Sequence, residues 1–341
     1  MSYNDLINDN VSNYGNRARY AYHYTDATNA ASILSEGFIY SRQEAIKRKL
    51  MHNDNASSSV IGNTLDSSKD YVRFYFRPLT PTQFYNEGYK PLQIRYEHDA
   101  NANVPMPIFF IFNLEEMLQD KNIFFSEVSR AGYSPGSLKQ GLTDFQTLPF
   151  DKIYSDGSQT DREMVKYRHA ELACRNKFPI DAYLAAIVCR TEAEKNTFLS
   201  YLPHDIYQKY KNKIQVEGNT LKLFERNGLF VETVNFEVFE ENDSLNIPLL
   251  EFKFSNNFAK RDYVNRKNVH NIEPVNFKLV ISENFRKNKE FTGQLDYLKP
   301  CANFENIPLS GYEKNYLTIR FFIEGCCMFN ETYHLLRGEK S

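Results

Sequence analysis

Two arginines four residues apart, Arg73 and Arg77, stand in the stretch YVRFYFR at Tyr71–Arg77. Val72, Phe74 and Phe76 alternate with Tyr71, Arg73, Tyr75 and Arg77, the period of a β-strand with one apolar face. On the other face two guanidinium groups lie beside two phenol rings. Pro78 and Pro81 follow, so the strand stops there. An arginine at the last paired position is held at its base and opens toward a loop, which suits a group that grips phosphate or developing charge. A plain amphipathic edge strand with solvated arginines fits the same pattern. In YHYTD, His23 and Thr25 share one strand face, opposite Tyr22 and Tyr24. If RHAELAC is extended, His169, Glu171 and Ala173 face one way. Taken singly, each of these has an ordinary explanation, a satisfied core histidine or a solvated glutamate.

Several familiar chemistries are missing from the sequence. No GxGxxG or GxxxxGK[ST] occurs among the fourteen glycines, so neither a Rossmann dinucleotide site nor a P-loop is supported. HExxH is absent, and the seven histidines are scattered, so no metal ligand set is visible. The five cysteines are odd in number and lack a CxxC pattern, which points away from disulfides and zinc and toward a reducing cytosol. The expected location is cytoplasmic. No signal peptide and no apolar run of membrane-spanning length appear.

Basic and acidic residues nearly balance, 41 against 43, so this chain does not coat nucleic acid by bulk charge. Any nucleic acid must be held in a local groove. Aromatic residues make up 15% of the chain, with 27 Phe, 23 Tyr and no Trp. Such residues fill β-rich cores, and some can stack on bases.

The elements that must position these side chains follow in order. Residues 1–19 read as a loose polar arm and Tyr20–Tyr24 as a short strand. Asp26 caps a helix that Gly37 ends. Ser41–Lys69, with its Lys47-Arg48-Lys49 run, is too long for an ordinary loop. It is either a lid over the site or a disordered insertion. PIFFIF at Pro107–Phe112 is a buried strand, Leu114–Leu118 a helix and Ile123–Phe125 another strand. A Gly- and Ser-containing loop, SEVSRAGYSPGSLKQGL, comes next. Thr160–Glu163 and Thr191–Glu194 are capping boxes, and Tyr183–Cys189 is an apolar strand. From about 205 short strand-like runs recur: LKLF, LFVETVNFEVF, LLEFKF, VNFKLVI and YLTIRFFI. The expected organisation is a domain over 1–205 and an all-β, sandwich-like domain over 206–341. Two basic runs in the second half, at Lys260, Arg261, Arg266 and Lys267 and at Arg286, Lys287 and Lys289, suit single-stranded nucleic acid, a protein partner or plain solvation.

Together, HYT followed by ATNAASILSEGF, then YFRPLTPTQF, then YRHAEL near residue 170 resemble the DarT-type nucleic-acid ADP-ribosyltransferases. That family shows an HxT element followed by an N-x-x-x-I-L-x-x-G helix, a YFxPRxPM-like strand end and a QAE-like glutamate before an apolar run. Order and spacing agree over roughly residues 20–200. The resemblance implies an α+β fold, a split, twisted ADP-ribosyltransferase sheet holding NAD as substrate in a cleft, with no metal. It places His23 and Thr25 on the nicotinamide-side ribose and carboxamide, and Asn29 and Gly37 on the family's helix positions. Arg73 joins this cofactor-binding set. Glu171 matches the catalytic glutamate, with Arg77 as its catalytic partner. Where the family has arginine after the first proline this chain has Leu79, with Arg77 just before Pro78; its methionine is replaced by Thr82. Residues 77 and 79 share strand parity, so Arg77 is expected to reach the same cleft.

By the same resemblance the protein is a toxin of a toxin–antitoxin or phage-defence system, with single-stranded DNA or RNA as substrate and an antitoxin protein as partner. An mRNA-modifying branch such as CmdT fits the altered arginine strand. Tyr75, Phe84 or Tyr133 would stack the base. A protein-modifying ADP-ribosyltransferase and a catalytically inactive binding module are the alternatives.

Overall fold

The computed structural model describes residues 1–132, 134–157, 162–241, 244–283, 287–309 and 315–335. Two compact units emerge. The first comprises Met1–Glu87, Arg95–Arg190 and Leu202–Glu225, and the second Gly88–Ile94, Thr191–Tyr201 and Arg226–Ser341.

Alternation dictates the first unit. Its strands are β1 (Tyr20–Asp26), β2 (Phe38–Tyr40), β3 (Tyr71–Tyr75), β4 (Pro107–Asn113), β5 (Ile123–Ser126), β6 (Glu171–Arg175), β7 (Lys177–Pro179), β8 (Leu184–Cys189) and β9 (Ile214–Val216). Seven form one sheet in the order β5-β6-β3-β1-β4-β8-β9, while β2 and β7 pair separately. This is the expected split sheet within an α+β fold. Every pairing is antiparallel except β8 with β9. Tyr22 and Tyr24 on β1 pack against Phe109 in a cluster with Val188, Leu223 and Phe224. His23, on the opposite face of β1, lies against Phe74 and Phe110. Phe74, Phe112 and Phe178 meet edge to face at 4.7–5.4 Å on that side. Each such fully buried ring contributes roughly 2–3 kcal/mol of transfer free energy. A buried ion pair, Arg190 to Glu87 at 3.2 Å, adds a polar anchor, and Gln83 also donates to Glu87.

Helices behave as their caps direct. The first, α1 (Tyr3–Tyr14), is not the loose arm expected: Ser2 and Asp5 close a capping box around its start. In α2 (Ala27–Glu36), Asp26 accepts from the Thr28 N–H, and Gly37 ends the helix at φ 73°, which a side chain would strain. The Ser41–Lys69 stretch is neither a bare loop nor an insertion without structure. It holds three short helices, α3 (Arg42–Lys47), α4 (Ser58–Asn63) and α5 (Asp66–Lys69). After β3 comes α6 (Pro81–Asn86), with Thr80 as N-cap and Pro81 in its first turn.

One expected strand ends early and another begins late. Pairing of β3 stops at Tyr75, so Arg77 is not at a last paired position. Beyond it Leu79 takes φ 57°, and this left-handed residue breaks the two-residue parity on which the placement of Arg77 rested. On the other side β6 begins only at Glu171, and His169 sits in the preceding turn. Thr160 of the first capping box lies outside the described residues. At the second, Thr191 serves as the helix N-cap, its hydroxyl accepting from the Glu194 N–H.

The second unit is β-rich. It contains β10 (Val231–Phe236), β11 (Phe239–Glu241), β12 (Ser244–Phe254), β13 (Val275–Glu283), β14 (Lys287–Leu295), β15 (Cys301–Leu309), β16 (Asn315–Ile323) and β17 (Cys326–Leu335). One sheet joins β10, β11 and β15 to β12, and the other runs β14-β13-β16-β17. Phe252 of the first stacks on Phe321 of the second at 4.6 Å, so the two sheets share a core in the expected sandwich manner. The LKLF run, by contrast, forms no strand, and Leu223 and Phe224 plug the core of the first unit instead. The basic run from Lys260 to Lys267 lies on a helix, Asn257–Arg266, with Lys267 as its C-cap. Lys260 on it is buried, donating to the carbonyls of Tyr297 and Lys299. Arg286 lies outside the described residues.

Candidate active site

A cleft of about 230 Å³ opens in the first unit, walled by β1, α2, β2, β3, α6 and residues 50–56. Its chemistry is set by three adjacent antiparallel strands. β6 lies between β3 and β5, which puts Glu171 opposite Tyr75 on one side and Ser126 on the other. The Glu171 side chain is fully buried. One carboxylate oxygen, Oε1, accepts from the Arg130 main-chain N–H. The other, Oε2, lies 3.6 Å from Arg73 Nη1 and has no hydrogen-bond partner among the described residues. Burial pushes the Glu171 carboxyl above its ordinary range, while Arg73 and the Arg130 N–H pull the other way. Arg73, on β3, lines the cleft with Tyr71 and Tyr75 of the same strand face. The glutamate beside it raises its already high pKa.

His23 and Thr25 both line the cleft. The His23 Nδ1 stands 3.1 Å from the main-chain carbonyl of Arg73. A carbonyl only accepts, so Nδ1 carries the proton and Nε2 does not. Burial lowers the His23 pKa to about 4, which keeps the ring neutral.

Asn29 lines the cleft too, but its amide is committed to the chain opposite. Nδ2 donates to the Asn53 carbonyl at 2.6 Å, and Oδ1 accepts from the main-chain N–H groups of His52 and Asn53. Arg42 adds a forked ion pair to Asp54 at 2.5 and 2.7 Å, so residues 52–54 are pinned to both α2 and α3. Gly37 closes α2 and is not among the cleft-lining residues.

Arg77 goes elsewhere. Only 3% exposed, it donates to the carbonyls of Pro78, Ile153 and Ser155 and pairs with Asp156 at 2.9 Å. Burial lowers its pKa, with Arg17 nearby adding to the effect. The structure thus lines the cleft with His23, Thr25, Asn29 and Arg73. Glu171 is not itself among the lining residues but lies buried directly behind Arg73, 3.6 Å from its guanidinium, and Arg77 is in neither place. Tyr75 lines the cleft, Phe84 packs on Tyr85 at 5.3 Å, and Tyr133 lies outside the described residues. Reasoning from residue types missed the Arg42–Asp54 clamp, Tyr71, and the Arg130 N–H. The first two carry ordinary sequence signals, a basic and an acidic residue flanking a long polar loop and an aromatic on the arginine face. The third is a main-chain contact and has none.

A buried carboxylate with one unbonded oxygen, a guanidinium against it and a neutral imidazole can hold sugar hydroxyls, stabilise a developing cation and accept a proton. No curated protein matches the sequence. Among solved structures the chain is similar to Thermus sp. 2.9 DarT in complex with ADP-ribosylated ssDNA, at 14% identity over 60% of this chain and 97% of that one, with a TM-score of 0.47. The NAD+ complex of the same Thermus protein gives 14%, 60%, 98% and 0.44. Thermosipho africanus DarTG in complex with ADP-ribose gives 13% over 59% of this chain and 50% of that one, with a TM-score of 0.41. The family described as "DarT: ssDNA thymidine ADP-ribosyltransferase, DarT" matches residues 22–224. That span is more than half of the 341 residues, and the chain belongs to the DarT family of ADP-ribosyltransferases.

Proposed function

We propose that this protein transfers ADP-ribose from NAD to a thymidine base of single-stranded DNA, with Glu171 as the catalytic carboxylate. The observation that carries the reading is the Oε2 of Glu171, buried, free of any hydrogen bond among the described residues, and set against a cleft-lining arginine. Its unused acceptor capacity suits a ribose hydroxyl. The bond from the ribose anomeric carbon to nicotinamide breaks through an oxocarbenium-like state, and nicotinamide leaves with the electron pair. Glu171 stabilises that cation, then takes the proton that the base releases as its bond to the sugar forms. Arg73 supplies positive charge for the pyrophosphate. The neutral His23 and Thr25 hold the nicotinamide-side ribose and carboxamide. A base must leave its stack to react, so a single strand is the natural acceptor, with Tyr71 and Tyr75 as candidate stacking faces.

Labelled NAD offered with thymidine-containing single-stranded DNA, RNA or protein tests this reading. Label is expected on the DNA; label on RNA or protein alone overturns the acceptor, and no transfer to any of them overturns the activity. The same reading makes the protein a toxin restrained by a partner antitoxin. Its expression in bacteria is expected to arrest growth, and Glu171→Gln to relieve the arrest.

A further inference from the structure

We infer that Arg130 is a positioning residue for the transfer reaction, folding its own loop so that its main-chain N–H fixes the Glu171 carboxylate. The inference rests on Glu171 being the catalytic group. Strand β5 ends at Ser126, directly across from Glu171. The chain then doubles back: the Ser126 hydroxyl accepts from the Val128 N–H, the Ser129 carbonyl accepts from the Gly136 N–H, and Phe125 pairs with Lys139. This brings the Arg130 N–H onto Oε1. An arginine is an unusual residue to bury at such a bend, yet Arg130 is only 7% exposed. The two terminal nitrogens of its guanidinium serve the loop and the cleft wall, while Nε is buried with no hydrogen-bond partner among the described residues. Nη1 donates to the Gly136 carbonyl at 2.5 Å, Nη2 reaches Ser68 Oγ at 3.5 Å, and the group lies 5.3 Å over the Tyr71 ring. Thr64 of the neighbouring segment accepts from the Gly132 N–H. Gly136 has no room for a side chain, because a Cβ there would stand 2.0 Å from Ser126 Oγ. The side chain of Arg130 therefore closes the loop, and its N–H orients the acid.

Such a role differs from substrate binding. The charged and titratable groups facing Glu171 are Arg73 and Tyr75 from β3 and Arg130 from the loop, with His169 on its own approach segment near Arg73. Donation from the Arg130 N–H favours the ionised carboxylate, so losing it moves the acid limb of the kcat/KM profile to higher pH.

The test compares Arg130→Ala and Arg130→Lys with wild type, using NAD and a thymidine-containing oligonucleotide, with thermal melts run alongside. Arg130→Ala is expected to lower kcat tenfold or more, change KM for NAD less than threefold and shift the acid limb upward. Arg130→Lys, which keeps the charge but not the fork, is expected to recover the limb and only part of kcat. Should Arg130→Ala fail to fold, Thr64→Val removes the Gly132 anchor, together with the hydroxyl's own donation to the Val60 carbonyl, and is expected to lower kcat two- to fivefold. Wild-type kcat in the variant that folds, an unmoved acid limb in Arg130→Ala, or a loss confined to KM overturns the inference. Retained transfer by Glu171→Gln would instead overturn the underlying reading, so the two failures are separable.

Discussion

The guanidinium of Arg73 stands 3.6 Å from Glu171 Oε2, with one partner on the cleft wall and the other wholly buried. The distance is that of an ion pair without a hydrogen bond. Neither group is satisfied fully by the other, so both keep capacity for a ligand.

Replacing Glu171 by glutamine removes that buried charge while keeping the shape. Transfer is expected to fall by at least about 10³-fold, as for other groups that stabilise developing charge, with the melting temperature unchanged or raised. Initial rates with labelled NAD and a thermal melt check both halves.

Proton linkage gives a second outcome. The folded pKa of Glu171 is raised, so between the ordinary glutamate value and that raised value the folded state binds more protons than the unfolded chain. Stability from this group is therefore highest below the window and declines as pH rises through it. Catalysis needs the ionised form, so activity is expected to fall in the opposite direction, as pH drops through the raised value. His23, held near 4, behaves differently: the unfolded imidazole gains a proton below about 6.5 and the folded one does not. Its contribution to stability is lost as pH falls from about 6.5 toward 4, and it produces no inflection in rate near neutrality. A kcat/KM profile with parallel melts across pH 4–9 reads both effects.

Arg73 and Arg77 are expected to separate cleanly on mutation. Arg77→Ala removes donors from the carbonyls of Ile153 and Ser155 and from Asp156, costing about 2–4 kcal/mol of stability with little effect on KM for NAD. Arg73→Ala is expected to keep the melt and to lose activity tenfold or more. A denaturant titration beside a kinetic assay distinguishes them; the reverse pattern would return Arg77 to the chemistry.

Asn29→Ala should loosen residues 52 and 53 against α2 without touching the sheet, leaving His52 tied to it by its ring, 2.9 Å from Ser32 Oγ. KM for NAD is expected to rise about five- to tenfold, since the loop then has to be ordered at the moment of binding. Hydrogen exchange over residues 50–57 would report the loosening directly.

Much of this was readable from residue order. Period-two alternation described β1 and β3 and put His23 and Arg73 on their proper faces, because a half-buried strand leaves little freedom in which side chain turns inward; β4 was marked instead by its unbroken apolar run. Asp26, Gly37 and Thr191 marked helix ends because each satisfies backbone groups that have no other partner. Arg77 was misplaced because one left-handed residue, Leu79, ends the alternation, and nothing in its side chain announces that conformation. The Arg130 contact was invisible for a deeper reason: a main-chain N–H is common to all residues but proline. Leu223 and Phe224 looked like a strand because apolar spacing reports burial and not the hydrogen-bonding pattern that accompanies it.

The orientation of one imidazole proton also decides which compounds can occupy this cleft. With its Nδ1 hydrogen given to the Arg73 carbonyl, His23 offers an incoming molecule a lone pair and no hydrogen. Carboxamides, ureas and alcohols can meet that demand. Nitriles, ketones and tertiary amides of the same outline bring only another lone pair to it, so a competitive-inhibitor series is expected to rank by its donors before its size.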